Sequence, residues 1–448
     1  MPNGSGATHV AVCAGNTLPS PGNTHQYAGR WFLIRHSGSL DQEIWDVTNP
    51  SAPFMISVLI GGPNAVLPLD TGGRYLTANH HIWWECDTGI AYIIAQSDVE
   101  PLTNAANWQE TGSRQHIYIY DLHDPHNPVF IREFGLVGQQ PGAVDSGSCY
   151  NAPSDTCYEG FTNPPGGIHQ VYSGGLYNNR VYLPYGVGAD GVVQIADREK
   201  LLNGCGTYDN ANAVNPNASV DCAEFPTQAD LIYPQINYVT MKPTQGAHTS
   251  IPIFGVPIPE MQANYLDGTP QKWDLLAITS EQTANDCAPQ DWKNPQLLDI
   301  TPGVNSNGQT VESIWPITTL PVGQFPGNLC LKGARFGIHE LNREIYASYY
   351  GRLIVAAYFN GGLHVWDIRD PYSPRQVAYF IQAPNQNTQV NCSSTNSSYC
   401  RAATFSDLGE VDDRGYIYNM DRAGSGITIL KLTGAAAEVV TGEENEGH

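Results

Sequence analysis

The sequence is short of charge. Only 14% of its 448 residues are Asp, Glu, Lys or Arg, and 43 acids against 21 bases leave a formal charge of −22. A surface this acidic repels phosphate backbones and anionic lipid, which argues against nucleic acid and anionic membrane as partners. No apolar run approaches the ~20 residues that span a bilayer, so no membrane insertion is expected. Sustained 3.6-residue periodicity is also missing, and the clearest helical fragment, DREKLLNG (197–204), is stopped by Gly204 after a turn or two. There is no P-loop, G-x-S-x-G elbow, H-E-x-x-H or EF-hand loop, so those nucleotide, hydrolase, zinc and calcium chemistries have no footing. GVGADG (186–191) has a nucleotide loop's glycines but no following helix, and reads as a hairpin turn. MPNGSGATHVAVCAG at the start lacks the basic and long apolar regions of a signal peptide.

What is plentiful points to short strands and tight turns: 45 Gly, 32 Pro and 24 Tyr in a chain that is 41% hydrophobic. A chain of this length exceeds one ordinary core, so it is either several domains or a repeat array. The stretches EIWDVTNPSAP (43–53), IYIYDLHDPHNP (117–128) and LHVWDIRDPYSP (363–374) each end an alternating strand on Asp and follow it with an Asx-Pro turn. VVQIADREK (192–200), QLLDITPG (296–303) and ITILKLTG (427–434) are looser versions. Each of the six exits is preceded by two strands with Gly or Asn turns, and FMISVLI (54–60), VFIREFGLV (129–137) and RQVAYFIQA (375–383) supply a fourth strand after the Pro turn. That is the order of a propeller blade.

The expected fold is therefore all-β, a single six-bladed β-propeller over 8–434 with an acidic, disordered tail at 435–448. The sixth blade lacks an outer strand, and THVAV (8–12) is expected to close it. Long insertions fall at 97–113, 138–165 and 202–245, and a seventh blade within 205–245, where DLIYPQINYVTM (230–241) has strand character but no exit motif, is the alternative. The exit pattern, an apolar strand followed by Asp-x-x-[DN]-Pro, resembles the LVIVD-repeat propellers. That resemblance implies the fold and leaves the activity open.

Aligning the repeats at the start of the innermost strand brings His25, His80 or His81, His169, His248, His339 and Glu410 into register. His81 is preferred to His80 because neighbours on a strand face opposite sides. Innermost strands face a common axis, so these imidazoles are expected to converge and bind a transition metal, with Glu410 as a further ligand or general base. Copper or iron is favoured, with zinc or manganese possible. A second layer at the returning strand ends contains His36, Glu281 and Asp421, polar groups suited to orienting ligands or moving protons. Arg35 and Arg422 stand beside this layer, to hold an anionic substrate or to pair with Asp421. His9, His123, His126 and His364 fall outside the register and read as structural.

The ten cysteines lack C-x-x-C spacing. Cys149–Cys157, Cys205–Cys222 and Cys392–Cys400 are expected as disulfides on polar loops, with Cys287–Cys330 and Cys13–Cys86 as further pairings. That usage implies an exported protein, secreted or periplasmic, whose leader lies outside this sequence. The functional expectation is a metal-dependent oxidoreductase acting on a small molecule at a histidine-lined channel. Propeller enzymes with histidines on the axis, such as the iron-dependent carotenoid-cleaving dioxygenases and the copper-dependent nitrous oxide reductase and methanethiol oxidase, are similar in that concept alone. A zinc- or manganese-type hydrolase or lyase, and a non-catalytic binding or scaffold propeller, are the alternatives.

Overall fold

The repeated strand exit has a local cause. Its Asp accepts a hydrogen bond from the amide two residues on: Asp46 from Thr48 (2.9 Å), Asp121 from His123 (2.8 Å), Asp299 from Thr301 (2.8 Å) and Asp367 from Arg369 (3.1 Å). The next Asx repeats the device, with Asn49, Asp124 and Asp370 accepting from Ser51, His126 and Tyr372. Two Asx turns in succession reverse the chain after the strands that end at Asp46, Asp121 and Asp367.

The structure is a computed structural model that describes residues 9–19, 25–37, 41–59, 76–77, 80–97, 108, 116–141, 169–171, 180–186, 188, 191–209, 211–258, 272–282, 294–311, 313–323, 332–333, 335–342, 347–392 and 400–441. The chain divides into two compact units, Met1–Gly186 with Val192–Thr240, and Val187–Gly191 with Met241–His448.

In the first unit, β1 (Val10–Ala14), β2 (Trp31–Ser37), β3 (Asp41–Asp46) and β4 (Phe54–Leu59) form an antiparallel sheet in sequence order. The second sheet sets β5 (Leu76–Thr77) and β6 (Ile82–Trp84) against β7 (Ile90–Ser97), followed by β8 (His116–Asp121) and β9 (Val129–Phe134). The third runs β10 (His169–Val171), β11 (Arg180–Tyr185), β12 (Val192–Asp197), β13 (Gln235–Thr240). In the second unit, β14 (Thr249–Pro257), β15 (Lys272–Thr279) and β16 (Gln296–Asp299) are followed by a small hairpin, β17 (Gly303–Val304) with β18 (Thr310–Val311). The sheet then closes with β19 (Trp315–Thr319) on β16. The fifth sheet is β20 (Leu353–Ala357), β21 (Leu363–Asp367), β22 (Arg375–Phe380). Residues 339–342 run along β20, with His339 N donating to Ala357 O (2.8 Å) and Asn342 N to Val355 O (2.9 Å), and so act as its inner strand. After the hairpin of β23 (Val390–Cys392) and β24 (Cys400–Ala402) comes the sixth sheet, β25 (Ser406–Val411), β26 (Tyr416–Asp421), β27 (Gly426–Lys431).

Successive sheets within each unit share a core. Phe32, Ile34 and Ile44 pack with Ile93 and Tyr118 between the first and second sheets, and Tyr92, Ile117 and Ile131 with Leu183 and Val192 between the second and third. In the second unit Leu275 and Ala277 meet Ile354 and Trp366, and Val355 and Leu363 meet Val411 and Ile417. Antiparallel meanders stacked face to face are propeller blades, so the fold class is all-β, of β-propeller type, with three blades among the described residues of each unit.

Three details correct the sequence reading. THVAV does not close the last blade: β1 pairs with β2, setting Cys13 against Phe32, and both bury in the first unit's core. DLIYPQINYVTM builds no seventh blade, because it contributes α2 (Gln228–Ile232) and then β13, the outer strand of the third sheet. The tail begins with a helix, Ala435–Thr441, whose Val439 is buried against the fifth and sixth sheets. DREKLLNG does form a helix, α1 (Arg198–Asn203), capped by the Asp197 carboxylate on Lys200 N.

Of the pairings expected, Cys13–Cys86, Cys205–Cys222 and Cys392–Cys400 are disulfides, and no free cysteine occurs among the described residues. Cys149, Cys157, Cys287 and Cys330 lie outside the described residues. Three disulfides belong to the chemistry of an oxidising, extracytoplasmic environment. No described helix is long and apolar enough to cross a membrane.

Candidate metal centre

His248 and His339 stand at equivalent places, immediately ahead of β14 and at the head of the inner segment beside β20. Thr279 at the end of β15 fixes both. Its carbonyl accepts from His248 N (2.6 Å), and its hydroxyl donates to the His339 carbonyl (2.9 Å). Gly337, at φ +137°, carries the chain into His339, and a Cβ there would lie 2.7 Å from Gln282 Cβ. The imidazole centroids are 4.9 Å apart.

The two side chains are buried, His248 completely and His339 to 4% exposure. His339 Nδ1 donates to the carbonyl of Asp407 at 2.6 Å, and Asp407 Oδ1 is 3.4 Å from the same nitrogen. His248 Nδ1 faces the His339 carbonyl at 3.4 Å. A Nδ1 bound in this way leaves Nε2 as the ligand atom, the usual outer-shell arrangement of metal-binding histidine. Glu340, fully buried, is the third member: one ligand atom from each of His248, His339 and Glu340 lies within 4.8 Å of the others. Burial opposes the charged form of His339, but Asp407, Glu340 and Glu281, with the bond to the Asp407 carbonyl, outweigh it and hold the imidazole above its ordinary pKa. That excess of negative charge around a buried imidazole favours a cation at this place.

Glu281, assigned by the register to the second layer, lies next to this group. Its Oε2 is 3.9 Å from His248 Nε2, and its Oε1 accepts from Arg335 Nη1 at 2.7 Å. Glu410 is displaced from the position expected of it. Because β25 begins at Ser406, the head of this inner strand is held by Asp407, and Glu410 lies three residues further along, opposite Tyr418. Asp421 is engaged in a turn, where its carboxylate accepts from Ala423 N (3.2 Å) and Ser425 N (2.6 Å).

In the first unit the register also shifts. The head of β1 is His9; His25 is exposed at φ +45° in the turn between β1 and β2, so its assigned place belongs to His9. The His9 ring is 4.2 Å from His81 and 5.9 Å from His80, and His81 is 1% exposed. His36 is buried at the end of β2, opposite Gln42. His169 opens β10, paired with Tyr182. Among the histidines set aside as structural, His123 and His126 do sit on the Asx turns, against Asp121 and Asp124.

The blades and the buried His–His–Glu group define an all-β, propeller-type protein with a candidate metal centre in its second unit. No protein-family model matches the sequence, so the likeness to LVIVD-repeat proteins rests on the strand-exit motif. No curated protein matches it either. Among solved structures the chain is similar to Raptor of Chaetomium thermophilum (TM-score 0.42, 9% identity, 90% of this chain and 23% of that one). It is also similar to the β-propeller domain of Cps50 (Swd1) of Myceliophteria thermophila (TM-score 0.40, 9% identity, 97% of this chain and 98% of that one). The chain thus spans 23% of the length of Raptor.

Proposed function

We propose that this protein is an extracytoplasmic metal-binding β-propeller that holds one divalent transition ion between His248, His339 and Glu340. The observation that supports it is the approach of three buried ligand atoms to within 4.8 Å, with the His339 Nδ1 already committed to a carbonyl. Two imidazoles and one carboxylate with positions left open are the donors of non-haem iron(II) sites, and also of hydrolytic zinc. Between copper and iron, the carboxylate oxygen favours iron. When bound, the ion supplies open coordination positions for a small substrate. The chain's own residues orient His339 through Asp407, exclude water by burial, and set the Glu281 carboxylate 3.9 Å from His248 Nε2, where it can take or return a proton.

The protein purified without a histidine tag and loaded anaerobically with Fe(II) should take up about one equivalent through this site and give the S = 3/2 EPR signal of an iron–nitric oxide adduct. Zinc uptake without affinity for iron supports the hydrolase or lyase reading. A wild type that binds no more metal than a His248→Ala/His339→Ala variant removes the metal reading altogether.

A binding or scaffold propeller is the second reading, and one observation favours it. Among the described residues β27 is the edge strand of a three-stranded sheet, and its Ile427 and Ile429 are 65% and 60% exposed. An apolar strand edge of this kind can accept a strand from a partner.

A further inference from the structure

His339 is the first ring of an aromatic shelf in the second unit. Phe359 stacks on it at 4.8 Å between centroids, and Phe405 follows Phe359 at 4.4 Å. The Arg335 guanidinium lies 5.6 Å from the centre of the Phe359 ring, and that of Arg422 lies 5.9 Å from Phe405. Phe359 itself has φ +46°, a conformation costly for a bulky side chain, and is held there by paired backbone bonds with Ser406 (3.0 and 2.9 Å). Strain of this kind persists where the surroundings over-determine it. Here it places a phenyl ring between an imidazole and a guanidinium.

Among the described residues, Arg335 uses little of its hydrogen-bonding capacity. Nη1 donates to Glu281, while Nη2 and Nε donate to no protein atom among the described residues, and the side chain is 32% exposed. The partly exposed guanidinium thus meets a carboxylate whose second oxygen reaches toward His248 Nε2. Arg422 is bound still more loosely, 3.5 Å from Asp407 Oδ1. A planar, partly exposed fork braced on an aromatic face suits a bidentate carboxylate.

Resting on the metal-site reading above, we propose that Arg335 binds a small carboxylate substrate next to the His248–His339–Glu340 group, the substrate taking the place of Glu281 on the guanidinium. Arg335 is then the residue that selects anionic over neutral substrates. Glu281, released from its ion pair, becomes the nearby proton acceptor.

Cobalt(II) and acetate test this. Acetate is titrated by calorimetry into metal-free and Co(II)-loaded protein, and cobalt content and the visible cobalt spectrum are read in parallel. In Arg335→Gln, acetate affinity should fall about tenfold with cobalt uptake unchanged, Arg335→Lys should be intermediate, and Arg414→Gln, on an exposed arginine elsewhere in the unit, should have no effect. Neutral imidazole should bind the cobalt forms of wild type and Arg335→Gln alike. Equal acetate affinity in wild type and Arg335→Gln overturns the proposal. If wild type takes up no cobalt yet still binds acetate through Arg335, the metal reading fails and the anion site stands.

Discussion

His339 donates its Nδ1 proton to the backbone carbonyl of Asp407, 2.6 Å away, and the Asp407 carboxylate lies 3.4 Å from the same nitrogen. The carbonyl sets the tautomer and the carboxylate strengthens the imidazole as a ligand. His339→Ala should therefore abolish metal uptake, whereas Asp407→Asn, which keeps the carbonyl, should weaken it by roughly 10–100-fold. Equilibrium dialysis against Zn(II) or Fe(II), with thermal melts to verify folding, checks both. Equal affinity in Asp407→Asn and wild type would show that the carbonyl alone orients the ring.

The disulfides should differ in weight. Cys13–Cys86 closes a sequence separation of 73, against 17 for Cys205–Cys222 and 8 for Cys392–Cys400. Loop-closure entropy gives about 4 kcal/mol for the longest and about 2.5 kcal/mol for the shortest. Paired Cys→Ser variants should therefore lose melting temperature most at Cys13/Cys86, and differential scanning calorimetry ranks them.

The blades were legible because the strand exit is a local device: an Asp bonding an amide two residues on needs no tertiary partner, so it repeats recognisably. The pairing of β1 was not, since THVAV has strand character whichever sheet receives it, and only its contacts place Cys13 opposite Phe32. The same ambiguity moved the histidine register in the first blade from His9 to His25. The repeat pointed to His248, His339 and Glu281 because each falls at a strand end that it marks, and the structure brings the three near one another. Glu340 was missed because a strand-like alternation turns neighbours of a ligand away from it, yet both His339 and Glu340 reach one cluster. Arg335 carried no sequence signal, because its role depends on Phe359 and Glu281, distant in the chain.

His364 should make the protein acid-sensitive. It is completely buried, bonded through Nε2 to the Gly361 carbonyl at 3.2 Å and stacked on Tyr379. Burial pushes its pKa down to about 4, against the pull of its bonds to Gly361 and Gln376. The unfolded chain protonates near pH 6.5 while the folded protein resists, so this stability is present above 6.5 and falls by about 1.4 kcal/mol per pH unit until pH ~4. Urea unfolding between pH 7 and 4 should show this slope in the wild type and a shallower one in His364→Phe. Identical slopes would mean that other groups govern the acid limb.

Glu85 and Arg198 make the strongest test of how the first unit is held. Arg198 Nη2 bonds Glu85 Oε2 at 2.6 Å, with the two side chains only 10% and 0% exposed, and Thr88 bonds both. The pair ties the first residue of α1 to the turn between β6 and β7. Burial pushes the Glu85 carboxyl up, with the Arg198 charge and the bonds from Arg198 and Thr88 pulling against it. The attraction therefore has a large desolvation cost to offset, and the intact pair adds little net stability. Removing one partner strands the other charge in the core, so Glu85→Gln should cost about 3–5 kcal/mol. Glu85→Leu combined with Arg198→Met removes both charges and should recover most of that loss. Chemical denaturation of the single and double variants measures the difference. A double variant as unstable as Glu85→Gln would show that the pair contributes through its hydrogen-bond geometry with Thr88 and not through charge balance.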